Sequence, residues 1–237
     1  VPTATLVLPA YDEANRVEAC LTETARWARG RPGGWDWDVI LVDDGSRDGT
    51  PQRATAAAAR EGLPITLLAH PANRGKGAAL RTGVLASRGD MVLISDVDLS
   101  TPLSELPKLA AHLPEAPVVI GSRAIDEALV RRRQPWYRVL LGRAGNRVIR
   151  LFAVPGIRDT QCGFKLFAGD VARALFADAR IDRFAYDVEI LHLARRRGLA
   201  IAEVPVLWFN SPESKVRVLR DAVQTLVDVL RIRWIHR

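Results

Sequence analysis

The chain has 237 residues, of which 48% are hydrophobic and 26% charged. That is enough for one large α/β domain with a full core, and too apolar for a disordered chain. The net charge of +7 points to an anionic partner, while an aromatic content of 6% argues against a base-stacking platform for single strands.

No apolar run reaches the ~18 residues that a membrane-spanning helix needs. Val1-Pro2-Thr3 leads straight into a strand pattern, so no signal peptide is expected. Cys20 and Cys162 are the only cysteines; two thiols make no disulfide framework and fit a reducing compartment. His70, His112, His192 and His236 show no metal-ligand spacing and read as structural or solvated.

Strand and helix patterns alternate through the first half. Leu6 to Leu8 reads as a strand, Ala14 to Ala28 as a helix and Val39 to Val42 as a strand. A helix follows from Gly49 to Arg60, then a strand from Ile65 to Leu68, a helix from Ala78 to Ser87 and a strand from Met91 to Ser95. Further on, strands are expected at 118–120, 164–167 and 201–206, and helices at 136–152, 186–197 and 215–234. Such alternation gives an α/β fold with a mostly parallel sheet covered on both faces. Ligands in such sheets collect beyond the carboxyl ends of the strands.

Acids stand at these strand ends. Asp96-Val97-Asp98 follows Met91–Ser95, and carboxylates spaced i, i+2 offer hard oxygens to a divalent cation, which is most useful for holding a diphosphate. Asp43 and Asp44 follow Val39–Val42 and can accept hydrogen bonds from a base or from ribose hydroxyls. Gly45 lets the chain turn sharply there, and Ser46 or Asp48 can cap the next helix. Pro9-Ala10-Tyr11-Asp12-Glu13 ends the first strand; Glu13 suits either a helix N-terminus or a nucleotide contact.

His70-Pro71-Ala72-Asn73-Arg74-Gly75-Lys76-Gly77 fails the test for a Walker loop, which needs glycine at 70 and Ser or Thr at 77. What remains is a lysine between glycines at a helix N-terminus, either holding an anion or solvated.

Leu8–Glu13, Val42–Ser46, Asn73–Gly77 and Asp96–Asp98, in that order, resemble the family-2 glycosyltransferases. Gly121-Ser122-Arg123, Asp159–Lys165, Phe184–Glu189 and Ser214-Lys215-Val216 are similar to the polyprenyl-phosphate sugar synthases, with the dolichyl-phosphate β-glucosyltransferases nearest and the mannosyl-phosphodolichol synthases next. The resemblance covers nearly the whole chain. It implies a GT-A (Rossmann-like) three-layer sandwich over 1–212, followed over 213–237 by a basic amphipathic helix.

The resemblance also implies roles. Pro9, Ala10, Tyr11, Glu13, Asp43, Asp44, Lys76, Asp96 and Val97 would line the nucleotide-sugar pocket. Asp96 and Asp98 would meet Mg²⁺ or Mn²⁺. Arg123, Gln161, Lys215 and Arg217 would hold the acceptor phosphate. The expected reaction is a single inverting displacement in which a hexose passes to a polyprenyl or dolichyl phosphate. UDP-glucose leads as donor, because the 159–165 and 184–189 segments resemble the glucosyl branch; GDP-mannose is second. A phosphate acceptor needs no strong base, since its second pKa is about 6. Asp159 and Asp187 are therefore base candidates only for a hydroxyl acceptor, and positioning ranks above base catalysis for both.

Two other readings stay open at this stage. The enzyme could act on a glycan or a small hydroxyl acceptor. The chain could instead be a non-enzymatic nucleotide- or nucleic-acid-binding module, although carboxylates at four strand ends repel phosphate unless a metal intervenes. No nucleic-acid partner is expected.

Val223, Leu226, Val227, Leu230 and Trp234 form an apolar stripe flanked by Arg220, Arg231, Arg233 and Arg237. That helix either docks on the core or rests on anionic lipid. The arginine-rich stretch 131–150, with Trp136 and Tyr137, could do the same or cover the acceptor. Peripheral contact with the cytoplasmic face of a membrane is expected.

Overall fold

A computed structural model of the chain describes residues 3–30, 34–132, 154–210 and 218–236. The chain runs through β1 (Thr3–Ala10), α1 (Val17–Arg29), β2 (Asp36–Asp43), α2 (Thr50–Glu61), β3 (Ile65–Ala69), α3 (Lys76–Ala86) and β4 (Met91–Ile94). It continues through α4 (Leu106–Ala110), β5 (Val118–Ser122), β6 (Val130–Arg132), β7 (Lys165–Ala168), α5 (Gly169–Asp178), α6 (Tyr186–Arg196), β8 (Ile201–Pro205), β9 (Trp208–Phe209) and α7 (Val218–Ile235).

Seven strands make one sheet in the order β3-β2-β1-β4-β7-β5-β8, while β6 and β9 pair separately. All neighbours in the large sheet are parallel except β7, which is antiparallel to β4 and β5. The order reverses beside β1: β2 and β3 lie to one side and β4 to the other, which opens a crevice beyond the carboxyl ends of β1 and β4. Register places the site on that edge. Ala10 lies opposite Asp43, Asp43 opposite Ala69, and Ile94 opposite Lys165, the first residue of antiparallel β7.

The strands read as near-continuous apolar runs because both sheet faces are covered. Leu6, Leu8, Leu41 and Leu93 pack with Val17, Leu21, Ala54, Ala57, Leu106 and Leu109, so α1, α2 and α4 form one outer layer. Val7, Val92, Ile94 and Phe167 pack with Leu80, Val84, Leu175, Phe176, Val188 and Leu191, so α3, α5 and α6 form the other. Val229 and Ile232 of α7 join this second layer. The expected three-layer α/β architecture is the one observed.

The structure adds α4, α5 and the β6–β9 pair to the expected elements. The helix expected at 136–152 lies outside the described residues, as do Arg133, Trp136, Tyr137, Arg138, Arg143, Arg147, Arg150, Lys215 and Arg217.

Candidate active site

The loops after β1 and β2 are tied together by side chains. The amide N–H groups of Asp12, Glu13 and Ala14 donate to Ser46 Oγ (2.8 Å), Thr50 Oγ1 (2.7 Å) and Asp48 Oδ2 (3.0 Å). The amide of Arg47 returns a bond to Asp12 Oδ1 at 2.8 Å. Ser46 and Asp48 therefore join the two strand ends; Gly49 stands at the N-cap position of α2, but Asp48 Oδ1 also accepts from the amide of Thr50, the first residue of that helix, at 3.0 Å. Glu13 pairs with Arg16 at 2.7 Å, and Tyr11 is exposed beside it. Ala10 is buried.

The two acids at the end of β2 separate in role. Asp43 is buried and accepts from the Ser46 amide at 3.2 Å. Asp44, expected with it in the nucleotide pocket, turns inward instead. Its Oδ1 meets His70 Nδ1 (2.7 Å) and the Arg74 amide (2.9 Å), and its Oδ2 meets Asn73 Nδ2 (2.9 Å) and the Gly75 amide (2.7 Å). One carboxylate thus spends its acceptor capacity holding the loop that presents Lys76. His70 is buried, and its Nε2 reaches Thr82 Oγ1 at 2.9 Å. Gly45 sits at φ 76°, and a Cβ there would stand 2.5 Å from the Ala72 backbone, so only glycine lets these two loops touch.

Lys76 opens α3, and its Nζ lies 2.6 Å from Asp96 Oδ1 and 5.8 Å from the Tyr186 ring centre. Burial works against its charge, but Asp96, Asp187 and Asp98 outweigh that and hold its pKa above the ordinary lysine value. Asp96 and Asp98 both stay partly exposed at the end of β4, and Asp98 Oδ1 accepts from the Ser100 amide at 3.0 Å. Val97 between them points into the core. Gly163 presses on Asp96 so closely that a Cβ would meet its Oδ2 at 2.2 Å.

Behind this pair lies a buried ion pair. Lys165 Nζ donates to the Cys162 carbonyl (2.5 Å) and to Asp187 Oδ1. Burial pushes the Asp187 pKa up; Lys165 and Lys76 pull against it without cancelling the effect. Desolvation also raises the pKa of Cys162, a packed thiol rather than a nucleophile.

On the far side of β7, Arg123 follows β5 and grips Asp159 with Nε (2.7 Å) and Nη2 (2.8 Å), while its own amide donates to the same carboxylate at 2.9 Å. The guanidinium carbon lies 5.4 Å from the Trp208 ring centre. Desolvation disfavours the charged Asp159, but Arg123 overrides it and holds the acid below the ordinary carboxylate value. A carboxylate so held is a poor proton acceptor, so its geometry is that of a positioning group. Glu203 of β8 fixes this corner by accepting from the Arg158 and Asp159 amides and from Ser122 Oγ. Gln161 is exposed at the rim.

Sequence reasoning assigned no role to Lys165, Tyr186, Glu203, Trp208 or the Asp44–His70 contact. A signal existed for Lys165, a lone cation inside the apolar run Phe164–Phe167, because an unpaired charge is not tolerated there.

The sequence pattern of the family described as Glycosyl transferase family 2 matches residues 5–176. The chain belongs to this family. Among relatives of this family 2 member, a Trichomonas vaginalis protein named dolichyl-phosphate beta-glucosyltransferase ALG5C is 35% identical over 96% of this chain and 70% of its own length. The human dolichyl-phosphate beta-glucosyltransferase is 33% identical over 96% of this chain and 74% of its own. Among solved structures, mannosyl-3-phosphoglycerate synthase from Rubrobacter xylanophilus superposes with a TM-score of 0.71 at 22% identity, covering 98% of this chain and 73% of that one. Glucosyl-3-phosphoglycerate synthase from Mycobacterium tuberculosis, in complex with Mn²⁺ and UDP, gives 0.68 at 23% identity, over 97% of this chain and 80% of that one. These structures share the GT-A fold with this family 2 chain.

Proposed function

We propose that this protein is an inverting transferase that moves glucose from UDP-glucose to the phosphate of a dolichol-type polyprenol. The observation that carries the reading is identity of 35% across 96% of the chain with a protein named dolichyl-phosphate beta-glucosyltransferase. The crevice supports it residue by residue. Pro9, Tyr11, Glu13 and Asp43 border the side where a nucleoside would lie, and Lys76 stands ready for its phosphates.

Asp96 and Asp98 fit a Mg²⁺ or Mn²⁺ ion. They supply hard oxygens from partly exposed carboxylates at a strand end. Among the described residues no third His, Cys, Asp or Glu joins them, which suits a cation whose remaining ligands come from a diphosphate and water. When bound there, the ion would neutralise charge on the departing diphosphate. Complexes of solved relatives with Mn²⁺ or Mg²⁺ and UDP support this assignment.

Acceptor chemistry agrees with the ion pairs that these acids make. A phosphate monoester is already a competent nucleophile near neutral pH. Asp159, held low by Arg123, is a poor proton acceptor, and Asp187 is tied to Lys165 in a buried ion pair; in this reading both carboxylates position cations. Arg123, with Gln161 at the rim and Lys215 and Arg217 from outside the described residues, would hold the acceptor phosphate. Among the described residues no helix is long and apolar enough to cross a membrane. Peripheral contact at the cytoplasmic face belongs to the same proposal, and the net charge of +7 supports it.

The test is incubation with labelled UDP-glucose and dolichyl phosphate, followed by chloroform extraction. Label in the organic phase is the expected result. Label carried only by a water-soluble acceptor, or transfer from GDP-mannose alone, would overturn the proposal.

A further inference from the structure

The last helix has two apolar faces, and among the described residues only one is buried against the fold. At about 100° per residue, Asp228, Val229 and Ile232 fall on one side of α7, where they are buried. Leu226, Leu230, Trp234 and Val227 fall within about 100° of arc on the other side. They are 42%, 50%, 70% and 46% exposed. Arg233 lies about 20° beyond one border of this stripe and Arg231 about 40° beyond the other, and both are exposed.

Four large apolar side chains gathered in one outward stripe mark an interaction surface. Leucine and valine along the stripe, tryptophan near its end and arginines on both borders are what an interfacial helix presents to a bilayer: the apolar side chains enter, and the cations meet anionic headgroups. A second copy of the chain fits poorly, because two such stripes face to face would set four guanidinium groups against one another.

The placement also serves the crevice. His236, just past α7, lies 2.7 Å from Glu189 Oε1. Glu189 belongs to the first turn of α6, together with Tyr186 and Asp187, and it also accepts from the amides of Arg180 and Ile181. The Trp234 end of the stripe is therefore fastened beside the catalytic edge.

We propose that the outer face of α7, formed by Leu226, Val227, Leu230 and Trp234 with Arg231 and Arg233, rests on an anionic lipid bilayer and brings the crevice to the membrane surface. This deepens the lipid-acceptor reading by naming the surface that meets the membrane.

Co-sedimentation with vesicles tests it, using phosphatidylcholine alone or mixed with phosphatidylserine. The full chain is expected to partition onto the mixed vesicles, with a Leu230→Glu/Trp234→Glu variant weaker by roughly tenfold or more and an Arg231→Glu/Arg233→Glu variant losing the preference for phosphatidylserine. Quenching of tryptophan emission by brominated lipid should fall in Trp234→Phe while binding persists, a check that does not depend on the charged variants folding. Equal binding by all variants, or a dimer in sedimentation velocity that the Glu variants dissolve, would overturn the proposal. Glucose transfer to dolichyl phosphate in detergent micelles should be unchanged in the Leu230→Glu/Trp234→Glu variant. Vesicle binding without any transfer would sink the glucosyl reading and leave this surface standing.

Discussion

The ammonium of Lys76 lies 2.6 Å from Oδ1 of Asp96, so the cation suited to a diphosphate is held by one of the acids suited to its metal. This pairing keeps a carboxylate and a lysine ordered in one crevice until a ligand divides them. Lys76→Met keeps the stem and removes the charge. A charge-assisted hydrogen bond contributes about 1.5–3 kcal/mol, so the KM for the nucleotide sugar should rise by roughly 10–100-fold. Steady-state kinetics across donor concentration measures this, and an unchanged KM would place the lysine outside the donor site.

Gly163 should be intolerant for a reason unrelated to folding. A Cβ there would stand 2.2 Å from Asp96 Oδ2, and a side-chain carboxylate yields more easily than backbone. Gly163→Ala is expected to keep its melting temperature within a few degrees while kcat/KM falls by roughly tenfold or more. Paired thermal melts and kinetics separate these effects.

The Asp44 carboxylate should matter for stability more than for binding. Asp44→Ala strips the acceptor from the Arg74 and Gly75 amides and from the side chains of His70 and Asn73, and should cost roughly 2–4 kcal/mol in urea unfolding. Asp43→Asn keeps an acceptor for the Ser46 amide, so it is expected to weaken nucleotide binding with little loss of stability.

Lys165 and Asp187 form an ion pair almost wholly shut from water. Removing one partner leaves an unpaired buried charge. Lys165→Met should cost about 3–5 kcal/mol, lowering the melting temperature by roughly 6–20 °C. The double variant Lys165→Met/Asp187→Asn should recover part of that loss. Equal destabilisation of single and double variants would show that packing, not charge, decides the effect.

Asp159 gives the fold an acid-sensitive contribution. Its folded pKa lies below the ordinary value of 3.8 because Arg123 outweighs desolvation. The contribution is thus fully present above that ordinary value and is lost as pH falls through the lower folded one. Asp159→Asn should be less stable than the parent at pH 7, with the gap narrowing on acidification below about pH 4. Denaturant titrations at the two pH values report it; a gap independent of pH would contradict the ion-pair account.

Much of this arrangement could be read from residue order alone. The runs around Val39–Val42 and Met91–Ile94 are apolar on both faces, and acids placed after them have to emerge on one sheet edge, so the gathering of Asp43, Asp96 and Asp98 at that edge is legible. Inversion of β7 was not legible, because the apolar pattern of Lys165–Ala168 carries no strand direction. Nor was the inward turn of Asp44, whose partners lie 26–31 residues away in a loop that looked like a phosphate cradle. Asp159 could be named, but its tie to Arg123 is a tertiary contact across 36 residues with no local trace.

The central claim is that Asp96 and Asp98 bind the sugar donor through a divalent cation. Calorimetric titration of UDP-glucose into the protein with Mn²⁺, after chelation, and into Asp98→Ala with Mn²⁺ tests it most directly. Binding with the metal, and its loss in both other conditions, is the predicted result; equal affinity in all three would contradict the account.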